Sequence, residues 1–348
     1  MRSRRKVIIV WHGLPAYAAR LIRSVIHEPS VELQLFATKS PEDPAYLESI
    51  VGHPIEWVDL RSARAKAKRT TADVCFVTGW AFDECREFVR VAKEQRTPVV
   101  AMIDNRWRGD LRQRLGGVYF RLALRQSIDF AWVPGTSATR LCRSFGFPAE
   151  AVITGLYGGD GSIFTPPPSP ADRPPRIGFV GQLIRRKGFD LLIEAFRQFR
   201  RESPEYELHA YGNGELSTLA VGMPGVVVHR FAKPGVIAEA MRNFRIFVMP
   251  SRDDNWPLAL HEAALSGCAL VTSSAVGNAG ELIEQSNGVI VSRSSSVSLA
   301  SAFSTLAAWS AEKQRNAALV SRRLAEPFGP ARWRREFLRL CATATEGR

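Results

Sequence analysis

Short apolar or alternating runs recur along the first half of the chain, at 7–11, 31–37, 55–60, 74–78, 99–103, 130–133 and 151–154. Most are separated by stretches long enough for a helix, such as 15–27 and 82–96. Strand alternating with helix predicts a parallel sheet flanked by helices. A second series opens at Arg176, with an apolar strand ending at Gly181, a strand at 207–214 running into a Gly-x-Gly turn, and runs at 226–229, 245–249 and 268–273. Between the two series lies 166–175, PPPSPADRPP, too Pro-rich for a helix or a central strand, which predicts a linker. The pattern therefore divides the chain into a first α/β domain at 1–165, a linker at 166–175 and a second α/β domain at 176–329. A closing segment at 330–348 contains a predicted helix at 330–343 with Trp333, Phe337 and Leu340 on one face. A length of 348 residues agrees with two domains, each able to bury a core.

Chemistry concentrates at 250–288. After the strand at 245–249, Asp253, Asp254 and Asn255 offer N-cap side chains and Pro257 suits a first helical turn; the helix then runs over 258–266 and stops at Gly267. The loop before it falls at the carboxyl end of a parallel strand, where α/β folds bind ligands. Asp254 lies in that loop and Glu262 about two turns into the helix. One acid is placed to meet a sugar's hydroxyls and the other to reach a ribose, with free amides near Pro257 to Ala259 between them, an arrangement that suits a sugar-nucleotide. A second helix start at 277–280 offers amides to a diphosphate. The alternative is that both acids are solvated caps. At 177–197 a strand ends at Gly181 and a basic turn, Arg185-Arg186-Lys187-Gly188, precedes a helix. Lys187 and Arg186 are suited to neutralise a departing diphosphate, and their tolerance beside a helix start favours an anionic ligand over mere solvation. The Gly-x-Gly turn at Gly212 lets backbone approach a ligand.

Together these segments resemble the retaining GT-B glycosyltransferases of family 4 (glycosyl transferases group 1), whose C-terminal half carries a GRL…KG turn, a GxG turn and an E-x7-E motif before a Gly-containing loop. The resemblance spans the chain and is firmest over 176–292. It implies two Rossmann-like α/β domains facing a central cleft, with a C-terminal helix crossing back to the N-terminal domain. By position, Asp254 takes the place of the first Glu, which meets the donor sugar, and Glu262 that of the second, which holds the ribose. Lys187 matches the diphosphate-binding Lys, Gln182 stands where many members carry Arg, and Arg186 supplies the charge that Gln182 lacks. Asn255-Trp256-Pro257, followed by Leu258, replaces the commoner Gly-Phe-Gly, and Phe231 is expected to flank the base. Gly13, Gly181, Gly212 and Gly277 complete the expected donor-binding set. On the acceptor side the resemblance implies His12, otherwise a loop histidine, and Asp104 with Asn105, which fall where many members place a His; Asp104 is alternatively a helix cap. Gly155 to Asp160 matches the family's NGVD turn near the domain hinge.

The activity so implied is retaining transfer of a sugar from a nucleotide-sugar, a substrate and not a cofactor, to a glycan or lipid-linked acceptor, without an enzymic nucleophile. Metal is not expected: no Asp-x-Asp pair is present and the six His and five Cys show no ligand spacing. The departures at Gln182, Asp254 and the missing His keep open a second reading, an inactive GT-B protein binding a glycan or a partner subunit.

Charge narrows the partner. A net charge of +13 and a pI near 10 favour anionic surfaces. The basic clusters are local, at 2–6, 61–69 and 106–125. The last carries Leu111, Leu115, Val118 and Leu122 at helical spacing among arginines: an amphipathic stripe that either lies on an anionic membrane surface or faces the core. A lipid-linked or lipopolysaccharide acceptor would account for the basicity. No nucleic-acid module is recognisable, so nucleic acid is not an expected partner. The expected location is cytoplasmic, peripheral at the inner face of the membrane, since 7–11 is too short for a signal-peptide core and no run of about 18 apolar residues occurs. Cys75, Cys85, Cys142, Cys268 and Cys341 are odd in number and scattered, which predicts buried thiols.

Overall fold

The structure, a computed structural model, describes residues 4–40, 42–292 and 295–346; residues 2 and 3 of the first basic cluster lie outside the described residues. The chain forms two compact units, one built from Met1–Gly158 with Phe328–Arg348, the other from Gly159–Pro327.

In the first unit β1 (Arg5–His12), α1 (Ala16–Arg23), β2 (Val31–Thr38), α2 (Pro44–Val51), β3 (Glu56–Trp57), α3 (Leu60–Arg69), β4 (Val74–Thr78), α4 (Asp83–Glu94), β5 (Val99–Met102), α5 (Leu111–Tyr119), β6 (Phe130–Val133), α6 (Thr136–Ser144) and β7 (Val152–Thr154) alternate. The strands form one parallel sheet in the order β3-β2-β1-β4-β5-β6-β7. Val7 to Trp11 of β1 are buried on both faces, which is why that segment reads as a continuous apolar run.

Two segments depart from the sequence expectation, and at a third the structure decides between two open alternatives. The run at 55–60 keeps only β3, because Asp59 opens α3 with a capping box: its carboxylate accepts from the Ser62 amide and Ser62 Oγ accepts from the Asp59 amide. The basic cluster at 61–69 is therefore a helix, anchored by Ala63 and Ala67. The helix expected over 15–27 ends at Arg23, and turns carry the chain to 27. The amphipathic stripe does not face the core: Leu111, Leu115, Val118 and Leu122 are 76%, 72%, 57% and 77% exposed. The helix α5 gives way to a π-helical turn over Phe120–Leu124.

In the second unit β8 (Arg176–Val180), α7 (Phe189–Phe199), β9 (Glu207–Tyr211), β10 (Val226–His229), α8 (Pro234–Arg242), β11 (Ile246–Met249), α9 (Leu258–Leu265), β12 (Ala269–Ser273), α10 (Ala279–Leu282), β13 (Gly288–Val291), α11 (Ser296–Ala307) and α12 (Ala311–Ala325) follow in order. Their sheet is also parallel, in the order β10-β9-β8-β11-β12-β13. The Pro-rich run at 166–175 packs inside this unit. Arg173, 4% exposed, donates to the carbonyls of Arg242 at 3.0 Å and Gly267 at 2.5 Å, and to that of Ser266.

The last helix, α13 (Pro330–Glu346), belongs to the first unit. Trp333 packs on Trp132 with ring centroids 4.9 Å apart, and Phe337 on Phe76 at 4.8 Å, so the face expected to be apolar is the buried one. All five cysteines are free and buried, and burial pushes the Cys75, Cys85, Cys142 and Cys341 thiols up to about 12. No helix among the described residues is long and apolar enough to cross a membrane.

Candidate active site

Parallel strands direct their carboxyl ends to one edge of the second unit's sheet, and the loops leaving β8, β11 and β12 interlock there. The basic turn after β8 is a short 3₁₀ segment, Arg185–Lys187, with Gly188 at φ +74° before α7. A Cβ on Gly188 would sit 2.2 Å from the Pro250 carbonyl, so glycine is what lets the two loops touch. Several contacts lock them, among them three made by side chains of the basic turn, of Arg252 and of α7. Lys187 Nζ donates to Asp254 Oδ2 at 2.5 Å, Arg186 Nη1 to the Asp253 carbonyl at 3.0 Å, and Arg252 grips Asp190 through both nitrogens at 2.7 and 2.8 Å. Ser251 Oγ adds a second donor to Asp254 Oδ2 at 3.2 Å.

Asp254 thus serves differently from the N-cap expected of it. Its carboxylate is 9% exposed and held by Lys187 and Ser251, while its backbone pairs with the next loop: its amide donates to Ala275 and its carbonyl accepts from Gly277. A Cβ on Gly277 would lie 1.8 Å from the Asn255 carbonyl. The N-cap of α9 is Pro257, with no side-chain cap, and the Asn278 side-chain Nδ2 donates to its carbonyl at 3.1 Å. Trp256 is buried, Asn255 and Leu258 half-buried.

A cavity of about 500 Å³ opens beside these loops, lined by Gly181, Gln182, Arg186, Lys187, Gly212 and Phe231, with Val180, Tyr211, Asn213, Ala232 and Ile237. Six of the sequence-derived site residues therefore share one cavity. The Gly-x-Gly turn has a structural reason as well: a Cβ on Gly212 would come 1.9 Å from the Gly181 carbonyl, and one on Gly214 2.3 Å from that of Leu183. Phe231 stands at the rim, 82% exposed. Tyr211 went unnoticed in the sequence, although as the last residue of a strand entering the turn it had a positional signal. Its ring stacks on His229 at 4.2 Å, and burial followed by the neighbouring His209 lowers the His229 pKa.

Asp254, Asn255, Trp256, Pro257, Leu258, Glu262 and Gly277 are not among the residues lining that cavity. Glu262 is half-buried on α9, its Cγ 3.1 Å from where a Cβ on Gly159 would lie. Beside it, His261 is fully buried: Nδ1 accepts from the Gly159 amide at 2.7 Å and Nε2 faces the Ala325 carbonyl at 2.9 Å. The carbonyl fixes the proton on Nε2, and burial lowers the pKa to about 4.

In the first unit His12 ends β1, its Nδ1 2.7 Å from Thr38 Oγ1 and its ring stacked on Phe82 at 3.5 Å. Burial lowers its pKa. Gly13 follows at φ +62° with open space beside its Cα. Asp104, after β5, does not cap the helix that follows: Asp110 caps α5, while Asp104 Oδ2 accepts from Tyr157 Oη at 3.5 Å. Tyr157 in turn meets Tyr17 edge-on at 5.5 Å. Burial raises the Asp104 pKa and pushes Tyr17 up to about 12. The sequence pointed to Asp104 and Asn105, which is exposed, and missed both tyrosines, since the contact joins α1 with loops after β5 and β7.

Two parallel α/β units with strand-end loops of this kind define the GT-B glycosyltransferase architecture. Residues 174–308 match the family model described as "Glycosyl transferases group 1". The chain is similar in structure to Alr3699/HepE of Anabaena in complex with UDP and glucose, at 17% identity and a TM-score of 0.77 over 98% of this chain and 100% of that one. It is similar also to the lipopolysaccharide outer core galactosyltransferase WaaB, at 14% identity and a TM-score of 0.72 over 97% of this chain and 99% of that one. A glycosyltransferase from Rickettsia africae ESF-5 matches at 10% identity and a TM-score of 0.80 over 98% and 99%. No curated protein matches the sequence.

Proposed function

We propose that the protein is a retaining glycosyltransferase that moves a hexose from a UDP-linked donor to a glycan or lipid-linked acceptor in cell-surface polysaccharide or lipopolysaccharide synthesis, without a metal ion. The observation that carries this reading is the cavity at the ends of β8 and β9, where Lys187 and Arg186 face glycine-lined backbone. It is supported by the group 1 match over the same unit and by relatives that bind UDP. In the reaction Lys187 and Arg186 neutralise the leaving diphosphate. Asp254 holds the Lys187 ammonium in place before the donor arrives, so little reorganisation remains for the transition state. Asp254 and the segment Asn255 to Leu258 meet the donor sugar, Glu262 the ribose, and Phe231 the base. Asp104 receives the acceptor hydroxyl, with His12 and Asn105 beside the acceptor.

The test is a thermal-shift comparison of UDP and GDP on the wild type and Glu262→Ala. UDP at about a hundred times its Kd should stabilise the wild type by about 2.7 kcal/mol and the variant much less. With a UDP-sugar donor, Lys187→Ala should lose about a hundredfold in kcat. A folded protein that neither nucleotide stabilises would overturn the reading and leave a glycan- or partner-binding scaffold.

A further inference from the structure

The helix α5 is joined to its unit by a narrow foot. At about 100° per residue, Gln113, Gly117 and Phe120 share one side of the helix, and Leu111, Leu115 and Val118 share the other. The foot is tight: a Cβ on Gly117 would already meet the Ser144 carbonyl at 3.4 Å, and Phe120 stacks on Phe145 at 4.3 Å. On the opposite side the leucines and valine stay 57–76% exposed, followed by Leu122 at 77%. Arginines border this stripe, Arg112 on one flank and Arg114 on the other. Neither forms an ion pair among the described residues, and Arg121 and Arg125 donate only to backbone carbonyls. Arg112, Arg114, Arg121 and Arg125 thus gather along α5 and the turns after it, while the acids of the same stretch, Asp110 and Asp129, accept backbone amides. On α4, by contrast, Arg86 pairs with Asp83 and Arg90 with Glu87, so its charge is locally balanced.

We propose that α5 and the π-turn after it dock the protein on an anionic lipid bilayer, with Leu111, Leu115, Val118 and Leu122 entering the headgroup–acyl boundary and the surrounding arginines meeting lipid phosphates. An apolar stripe flanked by long cationic side chains matches that boundary, because the stems lie along the apolar layer while the guanidinium groups reach the phosphates. A second copy of the same face fits poorly, since its arginines would oppose these. The inference rests on no step of the transfer reaction.

Co-sedimentation of the full chain with vesicles tests it, using phosphatidylcholine alone and phosphatidylcholine mixed equally with phosphatidylglycerol. The wild type should pellet with the mixed vesicles only, less so as salt rises. Leu115→Gln with Leu122→Gln should lower the partition coefficient by about tenfold or more. Arg112→Gln with Arg114→Gln should lower it and flatten the salt dependence. Both variants should keep the wild-type UDP shift, which separates loss of docking from loss of the donor site. Wild-type protein left in the supernatant with both vesicles, or a leucine variant that pellets unchanged, would overturn the proposal. A wild-type dimer that the leucine changes dissociate would also overturn it, by giving the stripe to a second copy.

Discussion

Lys187 and Asp254 sit 67 positions apart in sequence yet join two of the three loops at the sheet edge at 2.5 Å. A partly buried ammonium–carboxylate pair is costly to break from one side, because the remaining charge is left uncompensated. The pair therefore fixes the cation at the place where, under the proposed function, the donor's diphosphate would lie. Asp104 is a different case. Burial raises its pKa, while the hydrogen bond from Tyr157 acts the other way. Tyr157→Phe removes that donor and should move the acidic limb of the kcat/KM profile to higher pH, whereas Asp104→Asn should cost about a hundredfold or more across the profile. A Tyr157→Phe limb that stays in place would deny the tyrosine a role in setting the Asp104 charge. The sequence made the residues of the basic turn and the acid pair legible because each is marked by type and by spacing from a strand end. It left Tyr17 and Tyr157 hidden because one sits in the first turn of α1 and the other in the loop after β7, and only the folded chain brings them to Asp104.

Among elements, α9 does the most with the fewest residues. Eight residues long, it carries Glu262 on a half-buried face and His261 on a buried one, pinned to Gly159 and Ala325. The unfolded chain protonates His261 near its ordinary 6.5 and the folded chain only near 4, so between those values unfolding takes up a proton and stability rises with pH. The loss of stability on acidification reaches about 3 kcal/mol: it is nil above about pH 6.5 and complete below about pH 4. Urea midpoints of wild type and His261→Gln between pH 4 and 7 check this. The variant should be less stable at pH 7 by about 1–3 kcal/mol, because the Gly159 amide loses its acceptor, and its midpoint should vary less with pH. Elements whose apolar residues are buried on both faces, such as β1 and β11, were legible as runs. The boundary of β3 was not, because the Asp59 capping box and the strand propensity of 55–58 compete over the same few residues. The orientation of α5 was not legible either, since an apolar stripe has the same period whether it faces a core or water.

At the scale of the whole chain, the two sheets follow from alternation alone, whereas the unit boundaries follow from packing that no local pattern announces. The Pro-rich run is anchored by Arg173, and the chain passes from one unit to the other between Gly158 and Gly159 and back between Pro327 and Phe328. Trp333 is fully buried against Trp132 and Phe337, so Trp333→Ala should cost about 3–5 kcal/mol in the first unit alone. Calorimetry should show one transition shifted down and the other unmoved, and a uniform shift of the whole melt would contradict the division. The same arrangement sets an order of events during synthesis. The second unit is contiguous and can close its core as soon as residue 327 leaves the ribosome. The first unit, begun earlier, must keep Phe76 and Trp132 waiting for the aromatic side chains of α13, made later than the second unit, so translation arrested before Phe328 leaves the earlier unit unfinished, with those apolar rings uncovered.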